Sequence, residues 1–212
     1  INMCGIVGYL RTPKDVEAYE LNKLESFLGE LAAKDSANIT HDEQVKLTAM
    51  AAKLISASGV VALVKDQKST QSINLLSEQI KSRIEQFEID NDLDEDQKEN
   101  VGKLYDALWR ISKDACSSAE QITELVKPQS HSIDSIPAHV IAIYRSINIV
   151  LRSIDRIEVR GRDSAGISVC LSSIDVDDVT KKKIAKRNNE TFTNNSVRFA
   201  VSKNGNEQIF FV

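Results

Sequence analysis

Little in this chain points toward membranes, nucleic acids or an oxidising compartment. Only three of its 212 residues are cysteine, and they lie far apart, so they make no disulfide framework. Aromatic residues are 5% of the chain, with one tryptophan, too few for a base-stacking surface. The net charge of -4 offers no electrostatic reason for nucleic acid or an anionic membrane to bind. No apolar run approaches the ~18 residues that span a bilayer. The opening Ile1-Asn2-Met3-Cys4 lacks the basic region and apolar stretch of a secretory signal. A cytoplasmic chain with neither membrane nor nucleic acid as partner is therefore expected. In that setting the sequons at Asn38, Asn189 and Asn194 read as chance matches in polar loops.

What is present is a globular composition, 42% hydrophobic and 27% charged, in a length that suits one ordinary domain or two small ones. Three zones separate by pattern. Cys4 to Leu10 is nearly continuously apolar and reads as a strand buried on both faces; Pro13 then punctuates the chain. From about residue 14 to 128 the periodicity is helical. Val16, Tyr19, Leu24, Leu28 and Leu31 keep helical spacing. Thr40 with Glu43 has the form of a capping box opening a second helix, which carries Val45, Leu47, Ala51, Leu54 and Ile55. Ile73, Leu76, Ile80, Ile84 and Phe87 form the stripe of a third. Asp94 with Gln97 caps a fourth, carrying Val101, Leu104, Tyr105, Leu108 and Ile111, and a shorter piece surrounds Ile122, Leu125 and Val126. Amphipathic helices need partners for their stripes, and a bundle is the simplest arrangement.

The third zone begins at Pro137. Val140, Ile143, Tyr144, Ile147, Val150, Leu151, Ile154 and Ile157 predict one long helix ending at Arg160-Gly161. Ala165 to Leu171 reads as a strand, and Val197 to Val201 as another. Asn204-Gly205 is the dipeptide preferred in a tight type I′ hairpin, with Gln208 to Val212 as the returning strand. A sequence stopping on Ile-Phe-Phe-Val suggests truncation, since a free apolar edge strand invites aggregation.

The segment Cys4-Gly5-Ile6-Val7-Gly8-Tyr9 carries the chemistry. If Met3 is removed, Cys4 holds both a thiol and a free α-amine. That amine titrates near pH ~8, so it can take the thiol proton without a histidine, placing nucleophile and base on one residue. Gly5 allows backbone and substrate to approach closely. Taken alone, such a cysteine is more often an inert core thiol.

Met3-Cys4-Gly5-Ile6-Val7-Gly8-Tyr9 resembles the start of the class II, N-terminal-nucleophile glutamine amidotransferases. Arg156 to Val169, RIEVRGRDSAGISV, resembles a second motif of that family. Its Arg-Gly-x-Asp-Ser-Ala-Gly wording is closest to the glutaminase domain of glutamine–fructose-6-phosphate aminotransferases. The two motifs cover about 20 residues. The resemblance implies Cys4 as the catalytic nucleophile, with Gly5, Arg160 and Gly161 as the residues that position it or the substrate. Asp163 and Ser164 read as turn residues bonding local backbone.

The same resemblance implies an α+β fold, a partial N-terminal-nucleophile αββα sandwich interrupted by an all-helical insertion. The glutaminase domain would comprise residues 1–13 and 134–212, truncated on its C-terminal side, and the insertion residues 14–133. The partners would be L-glutamine and, in a synthase half that is missing, a sugar phosphate. The ammonia would serve glucosamine 6-phosphate synthesis from fructose 6-phosphate. No metal or organic cofactor is needed for the glutaminase step. The resemblance leaves room for a homodimer of the parent protein and names no partner for the helical insertion. Two alternatives stay open: another acceptor, such as phosphoribosyl pyrophosphate, or a non-catalytic regulatory module built on the helices.

The chain as it stands is expected to be an incomplete, inactive fragment. The family's oxyanion and glutamine-clamp elements lie further downstream. Trp109 reads as helix core and Asn204-Gly205 as a hairpin turn. His41, His131 and His139 lack metal-ligand spacing. Cys116 and Cys170 read as buried thiols, and Asp175, Asp177 and Asp178 as a solvated face, like Lys181 to Lys183.

Overall fold

The computed structural model describes residues 19–34, 39–126, 132–158, 169–171, 182, 199–201 and 209–211. The strand expected at Cys4–Leu10 lies outside them. The chain divides into two units: Leu10–Asn148, and Ile1–Tyr9 with Ile149–Val212.

The first unit is built of helices whose ends are written in local chemistry. Helix α1 (Leu21–Ala33) buries Leu21, Leu24, Phe27, Leu28 and Leu31. Helix α2 (His41–Leu54) opens with the full capping box. Glu43 N–H donates to Thr40 Oγ1 at 3.3 Å while Glu43 Oε2 accepts from Thr40 N–H at 3.0 Å. Lys34 closes a 2.5 Å ion pair on Glu43, tying the end of α1 to the start of α2. Ile55 and Ser56 then turn the chain into α3 (Ala57–Lys65), at 80° to α2. Ser56 caps α3 by accepting from Gly59 N–H. Gly59 sits so close to the last carbonyl of α2 that a Cβ there would lie 2.6 Å from the carbonyl carbon and Cα of Leu54. A side chain would collide with backbone, so the corner requires glycine.

Asp66 caps α4 (Gln67–Asp90) through Ser69 N–H at 3.0 Å. Asp94 and Gln97 form the second reciprocal box, at the start of α5 (Glu95–Trp109). This helix does not stop at Trp109. A π-helical stretch, Arg110–Cys116, carries it without a break in helical backbone into α6 (Ser117–Val126). The sequence reading made this two pieces; it is one helix containing a wide turn. A short 3₁₀ turn (Ile133–Ser135) precedes α7 (Ala138–Glu158), and the unit boundary falls within α7.

The core lies where α3 meets α2, α4, α6 and the π stretch. Val60, Leu63, Val64, Leu54, Ile73, Leu108, Ile111 and Ile122 are all at most 1% exposed. Burying side chains of this size contributes roughly 1.5–3 kcal/mol each. Two arginines finish the packing by capping helix C-termini, whose carbonyls have no partner within the helix. Arg83 of α4 donates to Ala32 and Lys34 carbonyls at the end of α1. Arg145 of α7 donates to the Ile55 carbonyl after α2 at 2.6 Å.

In the second unit the described strands are β1 (Val169–Leu171), β2 (Phe199–Val201) and β3 (Ile209–Phe211), in one antiparallel sheet ordered β1-β3-β2. Phe199 pairs Phe211 and Val201 pairs Ile209. A two-residue loop at Asn204-Gly205 would set Val201 against Gln208, so the register is one residue away from the tight hairpin expected. Asn204-Gly205 itself lies outside the described residues.

The expected α+β sandwich is corrected here. An αββα fold needs two sheets stacked about 10 Å apart with interdigitating inner faces. Among the described residues there is one sheet of three-residue strands. Helix dominates the rest, because the amphipathic periodicity of residues 21–158 is helical and is satisfied helix against helix. Nor is any described helix long and apolar enough to cross a membrane by itself.

Candidate functional site

The inner face of α4 carries polar residues in phase with its apolar ones. Thr70, Ser77 and Lys81 share the buried side with Ile73, Ile80 and Ile84. The hydroxyls are satisfied on backbone: Thr70 Oγ1 donates to the Leu63 and Asp66 carbonyls at 2.8 and 2.9 Å, and Ser77 Oγ to the Ile73 carbonyl at 2.8 Å. Lys81 is different. Its side chain is 8% exposed and pairs with Glu78 at 3.1 Å, while its ammonium lies 5.2 Å from the Tyr105 ring centroid, within cation–π range. Lys113, from the π stretch, approaches Glu78 at 3.4 Å. Burial pushes the Glu78 carboxyl up. The hydrogen bonds from Lys81 and Ser112, with the charges of Lys81 and Lys113, outweigh this and hold it below the usual carboxylate range. The cluster therefore holds fixed charges with no nucleophile. Its chemistry is cohesion: a buried cation is matched where α4 crosses the π stretch.

Two surface recesses accompany this unit. One, of about 630 Å³ between α1 and α2, includes Phe27, Met50, Lys23, Lys46 and Lys53, with the Lys46 ammonium 4.0 Å from the Phe27 ring centroid. The other, of about 440 Å³, lies beside α4 and α1, among Ala32, Leu75, Glu78, Gln79, Ser82 and Arg83. Neither brings a nucleophile together with a base.

The residues singled out by the sequence fall largely elsewhere. Cys4, Gly5, Arg160 and Gly161, with Asp163 and Ser164, lie outside the described residues. Helix α7 is described as far as Glu158, two positions before Arg160. Cys116 is buried in the π stretch. Burial, helped by the negative charge of Glu120, pushes its thiol up to about 12, so it stays protonated and unreactive at neutral pH. Cys170 sits in β1. His41 opens α2 and His139 lies on α7, both exposed. Among the described residues no group of three or more His, Cys, Asp or Glu is placed to hold a metal ion.

Trp109 is a correction. Read from sequence as core, it is 38% exposed, because the helix runs on through the π stretch and buries Leu108 and Ile111 instead. Val45, placed on a buried stripe, is 54% exposed. The buried Lys81 was missed, though its phase was a signal: it lies four residues from Ser77 and three from Ile84 on the apolar stripe.

Comparisons with family models, with curated proteins and with solved structures return no match to this chain.

Proposed function

We propose that this chain carries the nucleophile-bearing segments of a class II glutamine amidotransferase, with a helical unit between them. The observation that carries the reading is the pair of motifs, Met3-Cys4-Gly5-Ile6-Val7-Gly8-Tyr9 and Arg156 to Val169, in the family's order. Two features accompany it. Both segments belong to the same unit of the chain, although about 150 residues separate them. A long helix, α7, leads to the second one.

The reaction follows from one residue. With Met3 removed, the α-amine of Cys4 takes the thiol proton. The thiolate attacks the side-chain amide carbon of glutamine, forming a C–S bond and a tetrahedral oxyanion. Collapse breaks the C–N bond, and the departing nitrogen takes a proton to leave as ammonia. Water then cleaves the thioester to glutamate and restores the thiol. Gly5 keeps the backbone close to the substrate, and the Arg160-Gly161 turn positions the nucleophile. The ammonia is destined for a second site, with fructose 6-phosphate as acceptor in the reading the second motif favours.

The test uses the three cysteines against one another. A longer form of the protein that includes the downstream glutamine-clamp and oxyanion elements the family reading requires is prepared with Cys4 as its first residue and treated with a chloroketone analogue of glutamine. Peptide mass spectrometry should place the adduct on Cys4, with free glutamine protecting it and with Cys116 unlabelled. Retention of Met3 should abolish labelling. An adduct on Cys170 alone, or labelling of Cys4 that glutamine does not slow, overturns the reading.

A further inference from the structure

The recess between α1 and α2 sets cations around an apolar lining. The two helices are tied at both ends. Lys34 pairs with Glu43 at one. At the other, the Tyr19 hydroxyl donates to the Met50 carbonyl at 3.3 Å, so the helices run antiparallel. Between these ties α1 packs mainly on α4, and α2 on α5, which leaves the hollow of about 630 Å³. Buried Phe27, half-buried Met50 and exposed Ala49 supply its apolar lining.

Its charges are unevenly placed. Three lysines and one glutamate line it, in a chain whose net charge is -4. The Lys46 ammonium lies 4.0 Å from the Phe27 ring centroid, and this contact divides the recess. Lys23 precedes Phe27 on α1 and Lys53 follows Lys46 on α2, so both stand on the Tyr19 side of it. Glu30 follows Phe27 and stands on the Lys34 side. One end therefore holds two ammonium groups and no lining carboxylate, while the carboxylate lies at the other. Lys23 is paired with Glu20 from outside the lining, but both side chains are exposed and such a pair is worth little. Among the described residues neither Lys46 nor Lys53 is ion-paired.

We propose that this recess binds a small organic anion with an apolar body. The body lies on Phe27, Ala49 and Met50, and the anionic group sits between Lys23 and Lys53. Charge selects the sign of the occupant and size selects its class. The volume falls within the ~300–1,000 Å³ of small-ligand sites. The lining runs from Asn22 to Glu30 on α1, about 12 Å along its axis, which is short for the ~800 Å² that a partner protein covers in a standard interface. Apolar contact supplies affinity, and the two ammonium groups fix the direction of the ligand. The proposal stands apart from the glutaminase reading, since none of these residues belongs to either motif.

Amide chemical shifts of the full chain, followed by NMR during titration with phenylbutyrate, test it. The shifts should saturate and centre on α1 and α2. The neutral phenylbutyramide, with the same apolar body, and acetate, with none, should each bind at least tenfold more weakly. Lys53→Glu, an exposed change, should weaken phenylbutyrate by about tenfold and make the cationic phenylbutylamine the better ligand, with the helical circular dichroism unchanged. Ala49→Trp, which fills the hollow from an exposed position, should abolish binding of both. Shifts that do not saturate, equal binding of acid and amide, or an unchanged affinity in Lys53→Glu each overturns the proposal. So does saturable binding at these residues of an acidic helical peptide or of anionic vesicles when the small anion fails to bind.

Discussion

The sharpest stability test lies at Gly59. An alanine there would place its Cβ 2.6 Å from the carbonyl carbon and Cα of Leu54, and closer still to the carbonyl oxygen. Ordinary C···O approaches are about 3.3–3.6 Å, so α3 would have to move by more than an ångström from the end of α2. Neither side can yield cheaply. Leu54 is fully buried, as are Leu63 and Val64 on α3, and Ser56 fixes the first turn of α3 through Gly59 N–H. Overpacking of this kind costs about 1–3 kcal/mol, against a helix-propensity gain of about 1 kcal/mol for replacing glycine with alanine. The contact is with backbone, so the upper part of the range applies, for a net loss of about 2 kcal/mol. That corresponds to a fall of roughly 6–10 °C in thermal midpoint for a unit of this size.

The controls are Gly29 in α1 and Gly102 in α5. A Cβ at either meets nothing within 4 Å, so alanine there should stabilise by up to about 1 kcal/mol. Thermal and urea unfolding followed by helical circular dichroism would measure all three variants. If Gly59→Ala unfolds at or above the midpoint of the parent chain, the reasoning about the α2–α3 corner is refuted.

The two capping boxes should each be worth about 1 kcal/mol, so urea midpoints of Thr40→Ala and Asp94→Ala should both fall while Ser72→Ala leaves them unchanged. The carboxyls of Glu43, held down first by the Lys34 hydrogen bond, and of Glu78, held down despite its burial, lie below the ordinary Glu value of 4.5. Their folded pKa is depressed, so their contribution is present above pH 4.5 and is lost as pH falls through the lower folded values; a urea titration between pH 7 and 2 checks the window. Glu78→Ala should cost about 1–3 kcal/mol by leaving Lys81 buried with one counter-charge gone, reduced from the fully buried case because Glu78 is 39% exposed. Lys81→Met, by contrast, should cost less than about 1 kcal/mol, and the order of the two in denaturant midpoints decides. Cys116, raised from 9.0 to about 12, should resist thiol reagents in the folded chain. The unfolded state releases its proton first, so stability should decline as pH rises above 9.0, an effect absent in Cys116→Ala.

The legible parts of the fold were those whose physics is short-range. A capping box closes over three residues, and Thr40–Glu43 and Asp94–Gln97 are both formed as their spelling implies. The stripe Ile73, Ile80 and Ile84 is the buried side of α4. The sandwich was illegible because it rested on a resemblance between two short segments. A motif of a dozen residues does not determine how many strands assemble around it. The turn at Asn204-Gly205 lies outside the described residues, but the β2–β3 register stands one residue from the one a two-residue loop there would give, since a turn dipeptide proposes a register that the pairing of whole strands can override. The candidate catalytic residues are a matter of sequence wording alone, since Cys4, Gly5, Arg160 and Gly161 fall outside the described residues.

What the amino-acid order determined by itself is therefore local: where helices begin, which faces are apolar, and which residue could hold a thiol and an amine together. Only the tertiary structure decided that α5 and α6 are one helix, that the apolar run Val60–Val64 is a separate helix turned 80° from α2, that Trp109 and Val45 face outward, and that Lys81 is buried. The physical reason is one of range. Hydrogen bonds of caps and turns are made between near neighbours in the chain, whereas burial depends on which distant segments arrive, and an apolar or charged side chain carries no record of its partner.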